Sequence, residues 1–126
     1  MTETPDGRHK ATGLVVRVAA ERWFVPLAGV VEVLRRPVVA RVPASPPRVL
    51  GLVNHRGAVL TVIDPVRALE LPGAGGSLDD VVVVEAGGRR FALGVEAVIE
   101  LAQESRTGLA TLDLERVAEA AFGRST

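Results

Sequence analysis

Residues 43–64 read PASPPRVLGLVNHRGAVLTVID, and this segment carries the strongest local structural signal in the chain. Two apolar runs, residues 49–53 and 58–63, are separated by NHRG at residues 54–57. A short polar break between runs rich in β-branched residues is typical of a β-hairpin, and Gly57 can adopt the positive φ that such a turn needs. Prolines upstream favour an extended lead-in, because proline is excluded from a helix interior. The segment therefore predicts a central hairpin with a polar tip.

Short apolar runs on both sides of this hairpin predict an all-β chain with short helices. One helical turn followed by a strand that carries Glu32 is expected within residues 28–34. Glu21-Arg22 and Gly87-Gly88 are expected to form two further turns. The remaining strands are predicted at residues 14–19, 23–27, 38–42, 80–85, 91–95, 99–102 and 109–112. The order of elements over residues 14–34 recurs loosely over 81–101, which predicts two similar β lobes.

Two short helices have recognisable start signals. Asp64 is a plausible N-cap for a helix at residues 65–69, with proline at its first position. Asp113 can cap a helix at residues 114–122, whose apolar residues recur at the i, i+3, i+4 and i+7 spacing of one helix face. One helical turn is also expected at residues 95–98, and Asp79-Asp80 is expected to be a solvated strand entry. Residues 1–12 predict a flexible tail, and residues 72–77 predict a loop.

Composition excludes several classes of function. The 126 residues contain fifteen basic and fifteen acidic side chains, so the chain lacks the positive surplus that nucleic-acid binding requires. It has no cysteine, and its two histidines are far apart in sequence, so neither a metal site nor an enzyme active site is predicted. No signal peptide and no apolar run long enough to insert into a membrane is recognised, which predicts a cytoplasmic protein.

The hairpin tip holds the candidate binding residues. Asn54 can tie the loop backbone with its side-chain amide. Arg56 offers a planar fork of donors to a carboxylate or to backbone carbonyls, and Glu32 is a candidate internal partner for it. An ordinary polar turn would explain the same residues. Valines within residues 28–34 belong to the core or, if they face outward, form an apolar patch for a partner.

Several motifs in order resemble the CheW-like family, the coupling proteins of bacterial chemotaxis and related domains of CheA histidine kinases. The matching segments are FVPL (24–27), VVEV (30–33), VPASPPRV (42–49), GLVNHRG (51–57), VLTVID (59–64) and GVEAVIE (94–100). The resemblance covers about residues 14–103 and, more weakly, residues 112–117. His55 stands where an apolar residue is usual in the family, and Thr61 where proline is usual.

The resemblance implies two SH3-like β-barrel lobes, no catalysis and no cofactor. The domain would span residues 13–126, with the first lobe at about 27–70 and the second at about 14–26 and 78–112. It implies an adaptor that couples a methyl-accepting chemoreceptor to a CheA-type histidine kinase. One lobe would dock on the regulatory domain of the kinase, and the groove between the lobes would meet the receptor. The residues carried over to these protein-binding surfaces are Val30, Glu32, Asn54, His55, Arg56 and Gly57.

The chain departs from the family by a deletion, because only residues 101–108 fill the return before the closing strand. The second lobe is therefore expected to be abbreviated, with uncovered apolar side chains on its strands. A homodimer through this lobe would cover them. A diverged module used for self-assembly, or for another protein partner, is the alternative function.

Overall fold

The computed structural model describes residues 11–75 and 78–123. Residues 1–10 of the predicted tail and residues 76–77 of the predicted loop lie outside these described residues. The strands are β1 (Gly13–Val18), β2 (Glu21–Pro26), β3 (Val30–Arg35), β4 (Val49–His55), β5 (Ala58–Ile63), β6 (Asp80–Ala86), β7 (Arg89–Val95) and β8 (Ala97–Ala102). The α-helices are α1 (Pro65–Leu69), α2 (Glu104–Thr107) and α3 (Leu114–Phe122), and a 3₁₀ turn covers Leu27–Gly29.

The strands form two sheets, which confirms the predicted mostly-β fold. One sheet has the order β2-β1-β8, and the other has the order β3-β6-β7-β5-β4. All pairs are antiparallel except β5 with β7. The larger sheet combines strands from both predicted lobes, so the sheets do not follow the predicted lobe boundaries, which remain a prediction. The smaller sheet has three strands within the described chain, and the abbreviation of the second lobe stays a prediction.

Strands β6 and β7 are buried on both faces. Val81 and Val83 contribute to one core cluster, whereas Val82 and Val84 contribute to the other. Successive side chains of a strand point to opposite faces of the sheet, so one continuous valine run fills two cores. One cluster is enclosed by the larger sheet and includes Leu50, Val53, Leu60, Val62 and Ala92. The other lies between the two sheets and the helices α1 and α3.

Burial of these side chains overturns the physical argument for the dimer. Val81, Phe91, Leu93 and Val95 are buried in the single chain, and Val98 is only 7% exposed. Helix α3 supplies much of the cover, because Leu114, Val117 and Ala118 pack into the same cluster. The expectation that the second lobe leaves its apolar side chains uncovered is therefore wrong. The homodimer itself stays a prediction.

Both predicted helix caps are confirmed. The Asp64 carboxylate accepts a hydrogen bond from the Val66 backbone N–H at 2.9 Å, and Pro65 occupies the first position of α1. The Asp113 carboxylate accepts one from the Arg116 backbone N–H at 3.1 Å. Each bond satisfies a backbone donor that the first turn of a helix leaves without an intrahelical partner.

The central hairpin and the turn at Gly87-Gly88 are confirmed, whereas the first turn is shifted from its predicted position. Ala19 and Ala20 form this turn with φ of 52° and 66°, and Val18 pairs with Glu21. Glu21 and Arg22 thus belong to β2 rather than to the turn. Two adjacent residues at positive φ match the right-handed twist of the strands, and alanine gave no local sign that it would adopt this conformation.

Three other local predictions were wrong or displaced, and one helix was missed. Residues 38–42 form no strand, and only Ala40 bridges Leu52 on β4. Residues 109–112 likewise contribute a single bridge, from Thr111 to Phe24. The helical turn predicted at residues 95–98 is replaced by the start of β8 at Ala97, two residues before the predicted strand. Helix α2 was not predicted. In each case pairing with a distant strand or a short chain reversal overrides the local apolar pattern.

Candidate functional site

The tip of the β4–β5 hairpin is held in one conformation. Arg56 and Gly57 form a two-residue turn with φ of 54° and 86°, flanked by the pair His55–Ala58. The Asn54 side-chain oxygen accepts a hydrogen bond from the Gly57 backbone N–H at 3.1 Å. Positive φ at both turn residues suits a type I′ turn, which matches the twist of the two strands. The positive φ of Gly57 and the backbone tie made by Asn54 are therefore as predicted.

Glu32 approaches this tip from the opposite edge of the larger sheet. Strand β3 stands at one end of the strand order and β4 at the other. His55 Nε2 nevertheless lies 2.8 Å from Glu32 Oε1. The sheet must therefore curl until its two edge strands meet at the hairpin end. The imidazole is buried, being 4% exposed, and the Glu32 side chain is 36% exposed.

Arg56 lies over the same carboxylate on the solvent side. Its Nε donates to Glu32 Oε1 at 3.3 Å, and its side chain is 79% exposed. The contact between Glu32 and Arg56 that the sequence suggested is thus present. The hydrogen bond from His55 lowers the pKa of Glu32 below its ordinary value of 4.5, and the Arg56 charge adds to this lowering, while desolvation opposes it. Glu32 is thus held as a carboxylate between a buried donor and an exposed one.

Five of the six predicted site residues converge on the hairpin end: Glu32, Asn54, His55, Arg56 and Gly57. Val30 does not share this contact network, because it begins β3 opposite Val84 and packs partly against the core. Its neighbour Val31 is more exposed, at 40%. Val31 is therefore the more exposed of these two valines, and a binding role for Val30 stays a prediction.

Val59 is an apolar residue of this surface that the sequence reasoning missed. It stands directly opposite Asn54 in the hairpin register and is 64% exposed. Leu60 and Val62, on either side of Thr61, are buried in the core cluster. The alternation along β5 could have revealed Val59, since a residue next to an inward-facing leucine points outward.

Asp80 marks a second polar cluster, at the junction of the two sheets. It is 5% exposed, so the expectation of a solvated strand entry is wrong for this residue. Its carboxylate accepts hydrogen bonds from Arg35 Nη1 at 3.2 Å, from the Arg36 N–H at 3.2 Å and from the Val98 N–H at 3.0 Å. These bonds join β3 and β6 to β8, and they satisfy backbone donors at an irregular strand pairing.

Within residues 11–75 and 78–123 there is no group of three or more acidic or histidine side chains placed to hold a metal ion. None of the described helices is long and apolar enough to cross a membrane. The chemistry of the hairpin end is thus that of donors and acceptors on a fixed surface.

Comparisons with known proteins show which sequences and folds this chain resembles. The family described as the CheW-like domain matches residues 12–120. Protein FrzA of Myxococcus xanthus is 42% identical over 53 residues, which are 42% of this chain and 33% of FrzA. The match thus spans about a third of that relative. The crystal structure of the scaffolding protein TtCheW from Thermoanaerobacter tengcongensis has a similar fold, with a TM-score of 0.62 and 24% identity over 82% of this chain and 75% of that one.

Proposed function

Because this chain belongs to the CheW-like domain family, we propose that it is a non-catalytic adaptor that couples a methyl-accepting chemoreceptor to a CheA-type histidine kinase in the cytoplasm. TtCheW, which shares its fold, is described as a scaffolding protein. A scaffold acts through surfaces that bind partners, and it needs neither a reactive side chain nor a cofactor.

The observation that carries this proposal is the exposed Arg56 held by Glu32 at the end of a fixed hairpin. The Arg56 side chain is 79% exposed although its Nε is bonded to a carboxylate. A guanidinium held in place in this way loses less side-chain entropy when a partner binds. Its remaining donors suit a carboxylate or backbone carbonyls of another protein. We assign the regulatory domain of the kinase to this end of the molecule, and the receptor to the groove between the two predicted lobes.

Exposed valines extend the proposed kinase surface. Val59 lies opposite Asn54 and is 64% exposed, and Val31 adjoins Glu32 on β3. Interface centres are apolar and enriched in arginine, so burial of the valines would supply affinity and the Arg56 charge would supply orientation. No corresponding observation favours the alternative of self-assembly, because the side chains that were expected to need cover are buried.

Co-purification from the native cells tests the proposal. The tagged chain is compared with Arg56→Ala and with Arg22→Ala, a control that removes an exposed arginine from β2. We expect the wild type and the control to retain a CheA-type kinase and a chemoreceptor, and Arg56→Ala to lose the kinase. Retention of neither partner by the wild type would contradict the proposed function. Equal kinase retention by Arg56→Ala would contradict the assigned surface.

A further inference from the structure

His55 is placed to act on partner binding without touching a partner. Its side chain is only 4% exposed, whereas the Arg56 side chain next to it in sequence is 79% exposed. The only acidic side chain recorded in contact with its ring, among the described residues, is Glu32 on β3. Glu32 is therefore the polar contact that connects the buried His55 with the exposed surface.

We propose that His55 is a positioning residue. Its Nε2–H fixes the Glu32 carboxylate, and Glu32 in turn holds Arg56. In this position the guanidinium presents its terminal nitrogens to a carboxylate of the partner. This inference rests on the proposed function and adds to it the chemistry of the partner group. It also assigns a part in recognition to a residue that a partner cannot reach.

The chemistry of the carboxylate determines which groups donate hydrogen bonds in this cluster and which group accepts them. An ionised carboxylate has no hydrogen to donate, so the imidazole nitrogen at 2.8 Å carries the hydrogen. Both His55 Nε2 and Arg56 Nε meet the same oxygen, Glu32 Oε1. The shorter bond comes from the buried side, and the longer one, at 3.3 Å, from the exposed side. The Glu32 carboxylate is thus held more closely by the buried His55 than by the exposed Arg56.

The bond to Arg56 is made through Nε rather than through a terminal nitrogen. In the described part of the chain, the two Nη groups of Arg56 make no recorded hydrogen bond. A guanidinium has five N–H donors in a planar fork, so four remain for a partner. Carboxylates and phosphates both match this fork with two parallel bonds, and of these two groups only the carboxylate occurs on unmodified protein side chains. The geometry therefore selects an acidic side chain as the partner group opposite Arg56.

The first arm of the test examines His55 in the free protein. The Glu32 carboxyl is titrated by carbon-13 NMR in the wild type, in His55→Leu, which removes the donor, and in His55→Gln, which keeps an N–H at a similar reach. We expect the pKa of Glu32 to stay below its ordinary value in the wild type and in His55→Gln, and to rise toward that value in His55→Leu. An unchanged Glu32 titration in His55→Leu would overturn the positioning role.

The second arm is a double-mutant cycle with the isolated regulatory domain of the CheA-type kinase from the same organism. We expect His55→Leu to weaken binding about tenfold, the change that corresponds to about 1.4 kcal/mol. His55→Gln should restore most of the loss. In a Glu32→Gln background, His55→Leu should change the affinity less than about twofold, because an effect that passes through Glu32 disappears when its charge is removed.

A purely structural histidine would give a different result. His55→Leu would then weaken binding by the same factor in the wild-type and Glu32→Gln backgrounds, and this outcome would overturn the proposal. Thermal unfolding of each variant shows that the affinities compare folded proteins. If the wild type fails to bind the kinase domain, the proposed function and the assigned partner are overturned together, while the NMR arm still decides whether His55 holds Glu32.

Discussion

Glu32 and His55 join the two edge strands of the larger sheet, with 2.8 Å between Glu32 Oε1 and His55 Nε2. The two edge strands, β3 and β4, therefore approach each other at the hairpin end of the five-stranded sheet. The polar contact that closes the sheet belongs to the same network that holds Arg56, so fold and proposed binding surface share one carboxylate.

Acid should weaken the stability that the Glu32 contacts supply. A carboxyl group whose pKa is lower in the folded state stabilises the protein above its unfolded pKa, and this contribution is lost as pH falls through the folded value. For Glu32 the loss begins near the ordinary value of 4.5 and is completed below it. We expect wild type to melt above Glu32→Gln at neutral pH, and the difference in Tm to shrink as the solution is acidified.

Thermal unfolding over a pH series measures this difference, and Glu100→Gln, which changes an exposed carboxylate of β8, is the matched control. Glu32→Gln resembles the protonated side chain, so it removes the charge without removing the shape. A Tm difference between wild type and Glu32→Gln that stays constant from neutral to acid pH would contradict the prediction.

Gly57→Val should destabilise the central hairpin through the backbone alone. Gly57 has φ of 86°, and an added Cβ there would meet no atom within 4 Å. The cost is therefore the strain of a β-branched residue at positive φ, about 1–2 kcal/mol or more. Gly57→Asn is the matched control, because asparagine tolerates this region much better than valine does. Urea unfolding that gives equal free energies for the two variants would show that backbone strain does not govern this turn.

The hairpin could be predicted from sequence because its signals are local. Its apolar runs, the polar break and Gly57 lie within a short segment, and turn chemistry acts between near neighbours. Helix α3 was predictable for the same reason, since Asp113 and the apolar spacing are adjacent in the chain. By contrast, the turn at Ala19-Ala20 was missed because neither alanine signals a positive φ.

The sequence predicted residues of the candidate site, but it did not predict how all of them contact one another. Glu32 and Arg56 were singled out as candidate partners, but the buried bond from His55 to Glu32 depends on how the sheet curls. The prediction that Asp80 is solvated was wrong for a related reason. Its burial follows from the packing of β8 against β3 and β6, which no pattern around residue 80 records. Contacts between distant segments are set by the whole fold, and a single sequence contains no direct signal for them.

Arg56→Ala should leave the stability of the fold almost unchanged while it weakens binding. The arginine side chain is 79% exposed, and exposed ion pairs contribute about 0.2–1 kcal/mol. Glu32 keeps its buried partner His55 in this variant, so the closing contact survives. Urea unfolding of Arg56→Ala and Arg22→Ala should give free energies within about 1 kcal/mol of the wild type. A larger loss for Arg56→Ala would make Arg56 a structural residue and remove it from the proposed surface.

Asp80→Ala should be the most destabilising of these substitutions. Asp79 is the exposed neighbour of Asp80, and Asp79→Ala should leave the free energy of unfolding almost unchanged. Removing the Asp80 carboxylate leaves the buried backbone N–H of Val98 and the partly buried N–H of Arg36 without their acceptor. Leaving buried donors unsatisfied costs about 1–3 kcal/mol per group. The Arg35 side chain is 65% exposed, so its charge remains solvated and adds little to the loss. We therefore expect Asp80→Ala to lose at least about 2 kcal/mol in urea unfolding.

Amide hydrogen exchange should also become faster at Val98 on β8 in this variant, because the carboxylate that accepts its N–H is gone. If Asp79→Ala and Asp80→Ala were equally stable, Asp80 would not be what holds β8 against the larger sheet.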